Sequence, residues 1–144
     1  MEKLNWLAIT SASIIRIKDL KDLEKSFQLN ISDFPNHSRY CLVVNFQTKR
    51  FIRINIYPIF KSRILKIAFK GDYLNMQEIE IFLNDIQKFD IIHSTGLVII
   101  KKELTCEFYL NLNYADEEYK DLKILLDKHK NKFKDIKLEE IVLK

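Results

Sequence analysis

Alternation of apolar and polar positions along the chain predicts a series of β-strands. The strands predicted from this period of two are Arg50–Tyr57, Arg63–Lys70 and Leu104–Asn113. Tyr40–Phe46 is a nearly continuous apolar run that also fits a strand. Ile91–Lys101 is expected to form a hairpin with the strand that begins at Leu104, and Ile136–Leu143 is expected to be a last strand.

Apolar residues spaced by three or four positions predict helices between these strands. Asn75–Phe89 carries such a stripe, and a longer helix is expected from Asp116 to about Phe133, opened by acidic residues that suit the positive helix end. The first 27 residues have two interpretations. Alternation from Leu7 to Ile17 favours a strand followed by a short helix capped by Asp19, whereas the rival is one helix from Glu2 to Phe27.

The predicted order is β-α-β-β-β-α-β-β-α-β. Strands in groups separated by single helices are typical of an α+β fold, here a mostly antiparallel sheet with helices packed on one face. A chain of 144 residues without a recognisable linker is expected to form a single α+β domain over residues 1–144.

The alternation also assigns side chains to the two faces of the sheet. We expect Ile52, Ile54 and Ile56 to point inward, and Lys66 and Lys70 to point outward. On the strand with the strictest alternation, the residues expected to be buried are Leu104, Cys106, Phe108, Leu110 and Leu112. Those expected to be exposed are Thr105, Glu107, Tyr109, Asn111 and Asn113.

Charge is distributed unevenly, because the stretch between Asp33 and Asp72 has no acidic residue and eight basic ones. The predicted partner-binding residues on its open sheet face are Phe51, Arg53, Asn55, Tyr57, Lys66 and Lys70. Aromatic rings can stack on bases and cations can meet phosphates, so this face indicates an anionic partner, nucleic acid included. The same residues also serve ordinary cross-strand pairing on solvated sheets.

Other classes of site find little support in the sequence. Two glycines in the whole chain exclude Rossmann and P-loop nucleotide sites, so no cofactor is expected. His37, His93 and His129 are scattered and have no Cys or carboxylate at metal-ligand spacing. Because no nucleophile lies beside a base and an orienting group, no catalytic residue is predicted and an enzyme is the least favoured class.

The cysteines and the start of the chain bear on its compartment. Cys41 and Cys106 lie in apolar runs and are expected to be free, buried thiols. Glu2, Lys3 and Asn5 interrupt the start, so a signal peptide is not expected, and no apolar run approaches the length of a membrane span. A cytoplasmic protein that does not engage membranes is the resulting expectation.

Short motifs within residues 7–89 resemble one half-repeat of the TATA-binding-protein fold. They are Asp19–Glu24 at the first helix, Phe34-Pro35 before the second strand, and Ile59-Phe60 with Ser62 at a strand turn. The resemblance implies a nucleic-acid-binding module, although Asn36 and Arg63 stand where that fold usually has glycines. If residues 3–27 were helical, the order of elements would instead be similar to that of secretion chaperones, which bind partner proteins and often dimerise.

Together these features favour a non-enzymatic binding protein that presents a basic, aromatic-containing sheet face to a protein or to an anionic partner. Nucleic-acid binding is the sharper alternative, and a chaperone-like role is another. Edge strands such as Arg50–Pro58 could also join two copies by strand addition, so a homodimer is an open possibility.

Overall fold

The computed structural model describes residues 8–144 and shows an α+β fold. Its strands are β1 Ser11–Arg16, β2 Tyr40–Gln47, β3 Ile52–Ile59, β4 Arg63–Asp72, β5 Ile91–Ser94, β6 Val98–Ile100, β7 Glu103–Leu110 and β8 Asp135–Val142. Its helices are α1 Ile17–Phe27, α2 Met76–Ile86 and α3 Glu118–His129. The predicted fold class is confirmed, and the order of elements differs from the prediction by one additional strand.

The additional strand arises because the predicted strand Ile91–Lys101 is broken in two. Regular strand pairing is interrupted at residues 95–97, although the Thr95 N–H still donates to the Glu107 carbonyl of β7. Gly96 there has φ +70, a left-handed conformation that suits glycine. A tight turn then joins β6 to β7, with Lys101 and Lys102 both at positive φ.

The first described elements are a strand and then a helix, β1 and α1. The predicted succession of strand and helix is therefore confirmed over residues 11–27, and the rival single helix is wrong for these residues. The predicted cap at Asp19 is also wrong, because α1 begins at Ile17 with Arg16 as its N-cap and Asp19 lies within the first turn. The start of that predicted strand at Leu7, and the parts of the rival helix and of the chaperone-like segment that precede residue 8, lie outside the described residues.

The strands form two antiparallel sheets, whereas the sequence predicted one. The smaller sheet has the order β1-β2-β3, and the larger has the order β5-β7-β4-β8, with β6 pairing with β7 as well. Register fixes which residues are neighbours: Leu42 lies opposite Tyr57 in the smaller sheet, and Ile67 lies opposite Phe108 in the larger.

The main core lies between the larger sheet and the helices α2 and α3. Phe69 of β4 is central to it, with ring centroids 5.2 Å from Phe82 and 4.7 Å from Phe133. The inward residues of β7 are all buried here, as predicted, and they are Leu104, Cys106, Phe108 and Leu110, with Leu112 just beyond the strand.

A second core joins the two sheets to each other. Ile14, Leu42 and Val44 of the smaller sheet pack against Ile64 and Tyr109 of the larger. The opposite face of the smaller sheet is covered in part by α1, whose Leu20 packs near Cys41 and Ile31. The chain therefore forms successive layers, in which each sheet carries helices on one face and packs against the other sheet with its opposite face. The reason lies in β2, because an almost wholly apolar strand must be covered on both of its faces.

Candidate functional site

The face assignment of β3 is only partly correct. Ile56 packs against the cluster of Leu20, Ile31 and Cys41, as an inward residue should. Ile52 and Ile54 point outward and are 60% and 54% exposed, although the sequence placed them in the core. Tyr57 was expected to be exposed, and it is half-buried on the face toward the larger sheet, where its hydroxyl bonds to Nδ1 of His93. Burial, and then the nearby Arg53, lower the pKa of His93, so a neutral imidazole can accept this hydrogen bond near pH 7.

Only part of the predicted basic face is exposed. Arg53 and Phe51 are exposed, and the Arg53 guanidinium lies 5.1 Å from the centroid of the Phe46 ring. Asn55 and Lys70 are half-buried. Lys66 is only 5% exposed, so its predicted placement on an open face is wrong. The six predicted residues are thus not brought together on one solvated surface.

Lys66 belongs instead to a buried polar network with Glu107. Its Nζ lies 3.4 Å from Glu107 Oε1 and donates to the backbone oxygen of Thr10 at 2.7 Å. The Glu107 carboxylate accepts the backbone N–H groups of Ile9 and Thr10, both at 2.8 Å, together with the Thr10 hydroxyl. That hydroxyl is also 2.7 Å from the hydroxyl of Tyr109.

This network explains why the outer face of β7 is buried. Thr105, Glu107 and Tyr109 were expected to be exposed, but all three are buried. Thr10 bonds to Glu107 and Tyr109, and Tyr109 also packs in one cluster with Ile14, Leu42 and Val44 of the smaller sheet. Asn111 and Asn113, also expected to be exposed, are half-buried. The network ties the segment that precedes β1 to the larger sheet, which is a structural role.

The exposed isoleucines of β3 open onto an apolar groove, which we call the α1–β3 groove. Its volume is about 420 Å³. The lining comes from both sides, with β1–β3 as the floor and α1 as a wall; its residues are Ser13, Ile15, Leu20, Leu23, Phe27, Leu29, Val43, Ile52, Ile54 and Ile56. Leu23 and Phe27 are themselves exposed, at 44% and 65%. Contiguous exposed apolar side chains of this kind mark interaction sites.

β3 is also an edge strand, since within residues 8–144 it pairs with β2 alone. The hydrogen bond from the Thr48 N–H to the Phe51 carbonyl, 2.9 Å, sets the phase of the β2–β3 ladder. By alternation, Arg53, Asn55 and Tyr57 direct their backbone groups toward β2. The backbone groups of Ile52, Ile54 and Ile56 therefore point away from the sheet. Pro58 follows in the same alternation, so the position where it lacks an N–H also faces away from β2, as is usual for proline in an edge strand.

Three basic residues remain exposed at the β2–β3 end of the molecule, and they are Lys49, Arg50 and Arg53. Two others of the acid-free stretch are neutralised by neighbours. Lys61 lies 2.8 Å from Asp116, and Arg63 lies 3.7 Å from Glu140. The charge that was continuous in sequence is therefore divided among different surroundings in space.

The remaining titratable residues have local partners or are dispersed. His129 is buried on the inner face of α3, and its Nε2 lies 2.8 Å from Asp85 Oδ2. Among residues 8–144, no group of His, Cys, Asp and Glu side chains is arranged to hold a metal ion. Within the same residues, the helices are too short and too polar to cross a bilayer.

Comparisons with known proteins give no relative from which a function could be transferred: no family model, curated protein or solved structure matches the chain. The resemblances to the TATA-binding-protein fold and to secretion chaperones therefore stay predictions.

Proposed function

We propose that this chain is a non-enzymatic protein-interaction module that binds an extended strand at the free edge of β3. The observation that carries the proposal is the outward orientation of Ile52 and Ile54 on a strand that, within residues 8–144, has a partner along only one of its edges. Such an edge offers backbone donors and acceptors, while the adjoining α1–β3 groove offers an apolar surface for alternate side chains of the added strand.

The proposed binding surface lies on the side of β3 opposite to the predicted basic face. Edge strands are commonly protected by charged residues or bulges, because an exposed edge can pair with another chain. β3 has no such charge on its groove face, where the side chains of Ile52, Ile54 and Ile56 follow one another. An added strand would cover these side chains and satisfy the backbone groups beside them.

A labelled peptide with the sequence of residues 50–58 provides a direct test. In fluorescence anisotropy with dilute protein, we expect saturable binding to the wild-type protein. The affinity of an Ile54→Lys protein for the peptide should be at least about tenfold lower, because a charge then enters the apolar strip. Ile124→Lys is the matched control, since Ile124 is a similarly exposed isoleucine on α3.

N-methylated peptides separate strand addition from unspecific adhesion. Methylation of the peptide nitrogen at the position of Ile54 removes a donor that faces the protein, and binding should be lost. Methylation at the position of Asn55 alters a nitrogen on the edge of the peptide that faces away from the protein, and binding should persist. Equal binding of both peptides, or of the wild-type and Ile54→Lys proteins, would contradict the proposal.

Nucleic-acid binding is a second candidate, supported by the exposed Lys49, Arg50 and Arg53 near the exposed Phe51. In that case single-stranded RNA or DNA should bind at low salt, with affinity that falls as salt rises. Arg53→Ala should weaken such binding while leaving the peptide assay intact. No retained complex in a low-salt mobility shift would exclude this candidate.

A further inference from the structure

We propose that the strand received by β3 is β3 of a second copy of this chain, paired antiparallel about a two-fold axis at Ile54. This inference rests on the proposed function and names its partner. Two-fold symmetry is the commonest arrangement of homo-oligomers, and it requires a surface that is complementary to itself. The β3 edge meets this requirement in its backbone, its register and its side chains.

The backbone groups match about an axis at Ile54. In an antiparallel ladder, residues with outward-pointing backbone groups pair with each other and exchange both N–H···O=C bonds. Ile54 would then pair with Ile54 of the second copy, and Ile52 with Ile56. All outward N–H and C=O groups of these three residues would find partners, and the two three-stranded sheets would become one continuous sheet.

Arg53, Pro58 and the β2–β3 turn select this register over the others. Moving the axis to Arg53 would place two arginines directly opposite each other, and moving it to Asn55 would place Ile52 opposite Pro58. Moving the axis to Ile56 would place Pro58 opposite Ile54, and Pro58 has no N–H to donate. Moving it to Ile52 would place Ile56 opposite Thr48, which lies in the turn beyond the end of β3. The axis at Ile54 therefore uses the full length of the free edge.

The side chains are compatible with this pairing on both faces. On the groove face, isoleucines of the two copies lie opposite one another and extend the apolar strip from one α1–β3 groove into the other. On the reverse face, Arg53 lies opposite Asn55 of the second copy, so no two like charges are directly opposed.

A charge-swap experiment tests both the interface and the position of its axis. Ile54→Lys and Ile54→Glu each place identical charges opposite one another, and sedimentation should show each variant alone as a monomer with dimerisation weakened at least about tenfold. Mixed in equal amounts, the two variants should restore the dimer, because lysine then faces glutamate. Ile124→Lys should sediment like the wild-type protein.

The outcomes separate this inference from the proposed function. A wild-type chain that remains monomeric at millimolar concentration, or a dimer that persists in Ile54→Lys, overturns the pairing of two β3 strands. Failure of the charge-swapped mixture to dimerise overturns the axis at Ile54. If the chain is monomeric but the residue 50–58 peptide still binds, the strand-binding function stands without the dimer, whereas failure of both assays removes both.

Discussion

Replacing Lys66 with methionine is expected to lower the free energy of unfolding by about 3–5 kcal/mol, the range found when one partner of a buried ion pair is removed. Methionine keeps the unbranched stem but removes the charge, so Glu107, which is fully buried, would lose its cationic partner. The backbone oxygen of Thr10 would also lose its donor. Urea denaturation followed by fluorescence or circular dichroism measures the change.

Two further variants make this result specific to the buried pair. In a double-mutant cycle, Lys66→Met combined with Glu107→Gln should cost less than the sum of the two single changes, because the double variant leaves no unpaired buried charge whereas each single variant does. Lys49→Met, at an exposed lysine of the same stretch, should change stability by no more than about 0.5 kcal/mol. A Lys66→Met protein as stable as Lys49→Met would contradict the buried placement.

Replacing Phe82 with alanine is the second large effect, at about 3–5 kcal/mol of unfolding free energy. Phe82 is fully buried on α2, with its ring centroid 5.2 Å from Phe69 and 4.9 Å from Phe133. Its removal would leave a cavity where α2 and the larger sheet meet, and the surrounding rings can close such a cavity only in part.

The neighbouring Ile81 supplies the control for Phe82. Ile81 lies on the same helix but is 51% exposed, so Ile81→Ala should cost far less than Phe82→Ala in the same denaturation experiment. Comparable losses for the two variants would mean that α2 presents a different face to the sheet.

The sequence predicted the inner half of the fold because that half depends on local periodicity. The buried residues of β7 from Leu104 to Leu110 follow a strict alternation, and the helices over Ile79–Ile86 and Leu122–Leu125 show the matching stripes. Both patterns are readable within a short window of sequence. The strand–helix start of the chain over residues 11–27 was predictable for the same reason.

The outer faces could not be predicted because long-range contacts decide them. Period-two alternation shows that Ile54 and Tyr57 lie on opposite faces of β3, but it does not show which face meets another sheet. Tyr57 is turned inward by His93, 36 positions away in sequence, and Glu107 is buried by the backbone of Thr10, 97 positions away. One signal was available in β2, since an apolar run without alternation indicates a strand covered on both faces.

The free edge of β3 is the feature on which the proposed binding depends: Ile52 and Ile54, rather than Arg53 and Asn55, direct their backbone groups outward. Residue-resolved amide hydrogen exchange tests it most directly. In dilute protein, the amides of Arg53 and Asn55 should exchange slowly and those of Ile52 and Ile54 quickly. At high protein concentration, or with the residue 50–58 peptide bound, Ile54 should become protected. Slow exchange of the Ile52 and Ile54 amides at every concentration, with fast exchange of the Arg53 and Asn55 amides, would show that the Ile52–Ile54 side of β3 is not a free edge.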